Sequence, residues 1–357
     1  LFVLSFLLPN VESRVSFATA EVLDTTDFKG NDEAMLNCFN GCKVFSPTKN
    51  DDIFIIDSRG TRVISLLEIS KLDGGKILPM GDHYSLVNRG AANPPFILYA
   101  AQNQSPNFMT PVVYLDAATS LEVNPQDTLG ALTVLSSSGA VNVHGLSGDY
   151  EVFATGFDSV NDCRPVYQSR SIANAQKTYV KVNGPIATMK LNGYEAGSTL
   201  SLSGDPATPS PVTVDASAVF VSKGYVGCKN GGRYSLVPAA NGPEDSSFTL
   251  ADNGGLSVSI DSEYSFVKTE SSEVDITING DVVRLTGTDQ LRKSFVPSPS
   301  VQVDFKWKNR RSDDEFAIQI DVLKKAGGDE DTKLTTITSS DTEKTTTTKS
   351  GVQLSVI

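Results

Sequence analysis

The chain has 357 residues, of which 39% are hydrophobic, enough to bury a sizeable core and to build two domains or three small ones. Its formal net charge of −12 argues against nucleic acid and anionic lipid surfaces as partners, because both are polyanions, and leaves room only for a local basic patch. The one basic run, Lys306-Trp307-Lys308-Asn309-Arg310-Arg311, is followed at once by Asp313-Asp314-Glu315.

Residues 1–13 start with an apolar stretch, Leu1 to Leu8, that runs into Pro9 and polar residues. The stretch is far shorter than the roughly 20 residues a membrane-spanning helix needs. It reads as the remnant of a signal peptide, lacking an initiator Met and a basic leader, and predicts an extracellular protein.

Secretion places the four cysteines, Cys38, Cys42, Cys163 and Cys228, in an oxidising compartment, where an even number implies disulfides. Three pairings are open, and the favoured one joins Cys38 to Cys42 and Cys163 to Cys228. A zinc site needs another close Cys or His pair, and the only histidines, His83 and His144, lie in unrelated segments.

Beyond the leader, apolar residues alternate or come in short β-branched runs, and Gly, Pro, Asn and Asp interrupt them about every ten residues. In chain order the predicted strands are 53–56, 63–67, 96–99, 111–115, 150–154, 179–182, 212–215, 218–221, 256–260, 274–278 and 281–285. The last two flank Asn279-Gly280, the dipeptide favoured in a two-residue type I′ hairpin turn. Trp307, in register with Val301, Val303 and Phe305, is expected on a buried face.

The pattern predicts an all-β chain of two antiparallel sandwiches, CUB-like or jelly-roll-like. The expected domains are 14–155 and 212–325, joined by a connecting region 156–211 that ends in the Pro- and Ser-rich stretch 201–211. An echo between 52–66 and 275–285, each followed some 40 residues on by an aromatic strand, suggests a duplicated unit. Residues 326–357 are rich in Thr and Ser and cannot bury enough apolar surface to offset their ordering entropy, so they are expected to form an extended stalk. The closing residues, Ser350 to Ile357, resemble the opening of a glycolipid-anchor signal, which would attach the protein to a membrane if an apolar tail followed.

No Gly-x-Ser-x-Gly and no Cys and His pairing points to a nucleophile, so the chain is expected not to be an enzyme. The 42 acidic residues offer carboxylate pairs without singling one out, which keeps glycoside hydrolysis as a remote alternative. No cofactor is expected. Asn50, Asp51, Asp52 and Asp57 supply oxygen atoms suited to calcium, weighed against an acidic turn in water. Asn103, in Asn103-Gln104-Ser105, is the candidate N-glycosylation site.

Asp52-Ile53-Phe54-Ile55-Ile56-Asp57-Ser58-Arg59-Gly60 resembles a strand-and-turn element of the nematode CUB-like proteins, and the strands 295–305 and 316–320 are similar to the closing pair of those domains. The resemblance implies a secreted or raft-associated protein of innate immunity or stress response. The Cys38-x-x-x-Cys42 spacing departs from ordinary CUB domains, so no binding site is carried over. The expected function is binding of an extracellular glycan or protein ligand through sandwich loops, with a structural coat protein as the rival reading.

Overall fold

The computed structural model describes residues 21–323 apart from 26–32, 37, 39–40, 92–95, 103–110, 117–119, 129, 145–147, 157–163, 172–178, 195–197, 205–211, 214–216, 223–245, 252–254, 261–265, 269–272, 279, 287–290, 296–299 and 310–314. The all-β expectation holds: these residues form strands throughout, with one four-residue helix and one short 3-10 turn. The expected tail and leader lie outside the described residues.

The first eight strands are β1 (Glu21–Thr25), β2 (Glu33–Leu36), β3 (Cys42–Phe45), β4 (Ile53–Asp57), β5 (Arg62–Ser65), β6 (Lys76–Leu78), β7 (Tyr84–Asn88) and β8 (Phe96–Gln102). They make two antiparallel sheets in the orders β1-β8-β3-β6 and β2-β7-β4-β5. Side chains alternate along each strand, so Ile53 and Ile55 of β4 and Phe96, Leu98 and Ala100 of β8 meet Leu36, Val44 and Leu86 in one core. Each such Leu, Ile or Phe stabilises the sandwich by roughly 1.5–3 kcal/mol. The strand expected over 63–67 stops at Ser65, whose hydroxyl accepts from the Glu68 N–H (3.2 Å) while the Glu68 carboxylate accepts from the Ser65 N–H (2.7 Å). That reciprocal cap starts the helix α1 (Leu66–Ile69).

A short strand β9 (Val112–Leu115) leads into a second set: β10 (Ser120–Val123), β11 (Ala131–Ser136), β12 (Val141–His144), β13 (Gly148–Phe153), β14 (Tyr167–Ser171), β15 (Tyr179–Val182), β16 (Ile186–Tyr194) and β17 (Leu200–Ser203). Their sheet orders are β10-β17-β12-β15 and β11-β16-β13-β14, with β9 added parallel to β11. In the third set, β18 (Val212–Thr213) precedes β19 (Ser217–Val221), β20 (Ser246–Ala251), β21 (Gly255–Ile260), β22 (Phe266–Lys268), β23 (Glu273–Ile278), β24 (Asp281–Thr286), β25 (Leu291–Phe295), β26 (Ser300–Lys308) and β27 (Glu315–Leu323). With β18 and β22 set aside as additions, the orders are β19-β27-β21-β25 and β20-β26-β23-β24.

Numbered within each set, all three read first-eighth-third-sixth against second-seventh-fourth-fifth, the order of an eight-stranded jelly roll. The described chain therefore repeats one topology three times, where the sequence suggested two sandwiches. Strands β14 to β17, in the region expected to connect two domains, complete the second module by pairing with β10 to β13. The echo between 52–66 and 275–285 falls on the fourth and fifth strands of the first and third modules, β4 with β5 and β23 with β24. In the latter hairpin Ile278 pairs with Asp281, and Gly280 has φ +91°, a backbone state that costs glycine nothing.

Two different contacts join the modules. Phe45, Ile97 and Tyr99 on the outer face of the first module pack on Leu135 and Ile186 of the second. Nearby the Ser46 N–H donates to the Tyr114 hydroxyl at 3.3 Å, and burial pushes that phenol up to about 12. Between the second and third modules, β15 and β19 pair in parallel and fuse their sheets into one of nine strands. Val219, Val221 and Ala317 of the third module lie in the core of the second, and Tyr179 of the second lies in the core of the third. The two modules thus cover opposite faces of one sheet.

Candidate functional site

Cys38 and Cys42 form a disulfide, with Cα atoms 5.3 Å apart, and both are buried in the first core. The partners proposed for the second disulfide, Cys163 and Cys228, and the glycosylation candidate Asn103 lie outside the described residues.

The structure does not bring Asp51, Asp52 and Asp57 together. Strand β4 separates Asp52 from Asp57 by about 17 Å, several times a calcium–oxygen distance. Asp51 is held by Arg62 at 2.6 Å, and the Asp57 carboxylate accepts the N–H groups of Arg59 (2.9 Å) and Thr61 (2.8 Å) to shape the turn. Among the described residues no group of three or more His, Cys, Asp or Glu is placed to hold a metal. His83 is exposed beside β7, and Trp307 is buried in the third core as expected.

His144 is placed otherwise. Strands β10, β17, β12 and β15 each alternate apolar and polar residues, and their apolar set, with Val143, Val180, Leu200 and Leu202 fully buried, fills the second core. The polar set must then share the other face. The register aligns it in two cross-strand rows, Glu122-Ser201-His144-Tyr179 and Ser120-Ser203-Asn142-Lys181. Each row crosses three strand spacings, about 14 Å.

Exposure falls along the rows. Ser120 and Glu122 at the β10 edge are exposed, Ser201, Ser203 and His144 are half-buried, and Asn142, Tyr179 and Lys181 are buried. The reason is the third module, whose other sheet packs Val274, Ile276, Val303 and Phe305 on Tyr179 of β15 and on Ala218 and Phe220 of β19. The polar rows thus run as a shelf from an open edge to a wall.

The buried end is tied internally. The Tyr179 hydroxyl donates to Asn142 Oδ1 (2.8 Å), and Asn142 Nδ2 donates to the Gly204 carbonyl (2.8 Å). The His144 ring sits 5.0 Å from that of Tyr179 at an interplanar angle of 50°, and His144 Nε2 is 3.4 Å from Ser203 Oγ. Burial lowers the His144 pKa from 6.5, opposed by the Glu122 carboxylate, so the imidazole is neutral at pH 7. Chemically the accessible part of the shelf offers hydroxyls, an uncharged imidazole on an aromatic ring and one carboxylate at the rim, while Asn142 and Lys181 lie at its buried end. These are donors and acceptors suited to a neutral, polyhydroxylated ligand.

A second polar cluster lies on the outer face of the third module. Asp275 accepts from Arg284 Nε (2.8 Å) and pairs with Lys308 Nζ (2.6 Å), while Glu273 pairs with Arg284 at 3.1 Å. The Arg284 hydrogen bond, with Lys308 beside it, holds the Asp275 carboxyl below 3.8. Its charges satisfy one another, which makes it a sheet-stabilising ladder.

Sequence reasoning passed over the shelf. Its signal was local and plain, Val141-Asn142-Val143-His144 and Leu200-Ser201-Leu202-Ser203, but which polar positions share a row depends on a register that only the folded sheets reveal. Compared with known proteins, the chain matches no family model and none of the curated sequences.

Proposed function

We propose that the chain is a non-enzymatic extracellular binding or effector protein, and that the shelf on the second module recognises a neutral glycan. The observation that carries this reading is the pair of cross-strand rows, Glu122-Ser201-His144-Tyr179 and Ser120-Ser203-Asn142-Lys181. Glycan hydroxyls are read by side chains that both donate and accept, and the apolar faces of sugar rings settle on aromatic or imidazole rings. Recognition then rests on the flat face of a sheet, whereas the sequence suggested loops.

The resemblance of 52–60 and of the strands 295–305 and 316–320 to the nematode CUB-like proteins is what supports a place in innate immune or stress response at the cell exterior. An array of neutral and acidic oligosaccharides, probed with the intact chain and with Ser201→Arg, tests the proposal. Binding to a neutral oligosaccharide that drops by at least about tenfold in the variant is expected; an array with no neutral ligand, or binding indifferent to Ser201, overturns it.

A further inference from the structure

Among the described residues the shelf is open at the β10 edge and closed on two sides. At β15 the third module stands over it, and there Tyr179 keeps 5% of its surface and Lys181 6%. Beyond Ser203 the chain runs into Gly204, which is buried against the Asp116 carbonyl: a Cβ built on Gly204 would lie 2.6 Å from that oxygen. Asn142 beside it is 3% exposed, and its amide is taken up by the Gly204 carbonyl and the Tyr179 hydroxyl.

From this corner the accessible groups lead outward in one direction. His144 carries the last half-exposed ring before the wall, Ser201 and Ser203 follow on β17, and Glu122 and Ser120 stand exposed on β10. Two strand spacings, about 10 Å, separate His144 from Glu122. A polymer held through an internal stretch leaves its site at both ends and needs a groove open at both. A ligand lying along these rows leaves only over β10, so its inner end is a chain terminus.

The groups at the inner end suit one. His144 Nε2 and Ser203 Oγ lie 3.4 Å apart, longer than the roughly 3 Å of a good hydrogen bond, a weak contact that a ligand hydroxyl can replace. A free sugar hydroxyl both donates and accepts, so it can bond to both groups. The same oxygen in a glycosidic linkage has no proton to donate and carries a further ring, for which the wall leaves no room. In a glycan attached to a carrier the reducing end is held by the linkage, and the non-reducing end is the one free to enter.

Building on the reading of the shelf as a glycan site, we propose that it recognises the non-reducing end of a neutral oligosaccharide. The terminal ring lies over His144 against the wall, its free hydroxyl sits between His144 and Ser203, and the chain leaves past Ser201 and Glu122 over β10. The third module thereby sets specificity, because it turns a flat sheet face into a site for chain ends.

Calorimetry of the intact chain with oligosaccharides of glucose, galactose, mannose and N-acetylglucosamine, from two to eight units long, tests the proposal. Each is compared with the same compound whose non-reducing end is blocked by a cyclic acetal. Affinity per molecule is expected to stop rising beyond about three units, the length the rows can hold, and blocking is expected to weaken binding at least about tenfold. Ser203→Ala is expected to weaken binding of the free-ended compounds by about threefold to tenfold and to leave that of the blocked ones as it was. Equal binding of blocked and free-ended compounds, or affinity that keeps climbing in proportion to length, overturns the proposal and leaves the glycan reading standing. Free-ended binding indifferent to Ser203→Ala overturns it as well. Absence of binding by every compound overturns the glycan reading and this proposal with it.

Discussion

Val180 and Val219 stand side by side across a parallel ladder and share one core, although they belong to different modules. The third module is therefore a structural part of the second. Val219→Ala is expected to cost about 2 kcal/mol through lost burial and the cavity left behind. The loss should appear in the hydrogen exchange of β12 and β15 in the second module; protection unchanged there would mean that the modules are energetically separate.

Phe220 lies on the other face of the same strand, with its ring 5.3 Å from Phe305 and 6.1 Å from Tyr179. Phe220→Ala is expected to destabilise the chain by roughly 3–5 kcal/mol in denaturant titration. Tyr179 should become more mobile in the variant, which its fluorescence anisotropy would report.

The disulfide between Cys38 and Cys42 closes a loop of sequence separation 4, so it restricts the unfolded chain only modestly. Loop-closure entropy for so short a ring is about 2 kcal/mol. Cys38→Ser with Cys42→Ser should lower stability by that amount in urea. A loss of about 5 kcal/mol or more would show that the bridge does more than close a turn.

Asp275 has a folded pKa below its ordinary 3.8 because Arg284 and Lys308 favour its charged form. A depressed carboxyl stabilises the fold above its unfolded pKa, and that contribution disappears as pH falls through the folded value. Asp275→Asn is expected to cost about 2 kcal/mol at pH 7. The gap between variant and wild type should narrow below about pH 4; a gap independent of pH would contradict the ion-pair account.

His144 acts in the opposite sense. Burial depresses its folded pKa below 6.5, so below that pH the unfolded chain takes up more protons than the folded one and stability falls. His144→Gln removes the titrating group, and the variant should lose less stability than wild type between pH 7.5 and pH 5 in urea titrations. Equal losses would show that the imidazole does not sense the fold.

How much of this was legible depended on whether the signal was local. The Asn279-Gly280 hairpin, the alternation of β21 and β23 and the short apolar runs of β4 and β8 could be read directly, because turn chemistry, a period of two and runs of β-branched or aromatic residues are written in neighbouring positions. The second module was the hidden copy. The fourth and fifth strands are joined across 154–166 in that module but by only two residues in the third, so no fixed repeat length exists to detect. Of the stretch 201–211 expected to be a connector, Ser201 to Ser203 belong to β17, and 205–211 lie outside the described residues. The shelf was out of reach because Glu122 and Tyr179, distant in sequence, fall in one row only through the pairing of four strands.

Backbone amide spectra of the intact chain, recorded while neutral oligosaccharides selected on the array are titrated in, test the central claim most directly. The account predicts shifts that saturate at Glu122, His144, Ser201 and Ser203, with the Asp275 cluster unmoved. Saturable shifts confined to other surfaces, or no shifts on the shelf at ligand concentrations that saturate the array signal, would contradict it.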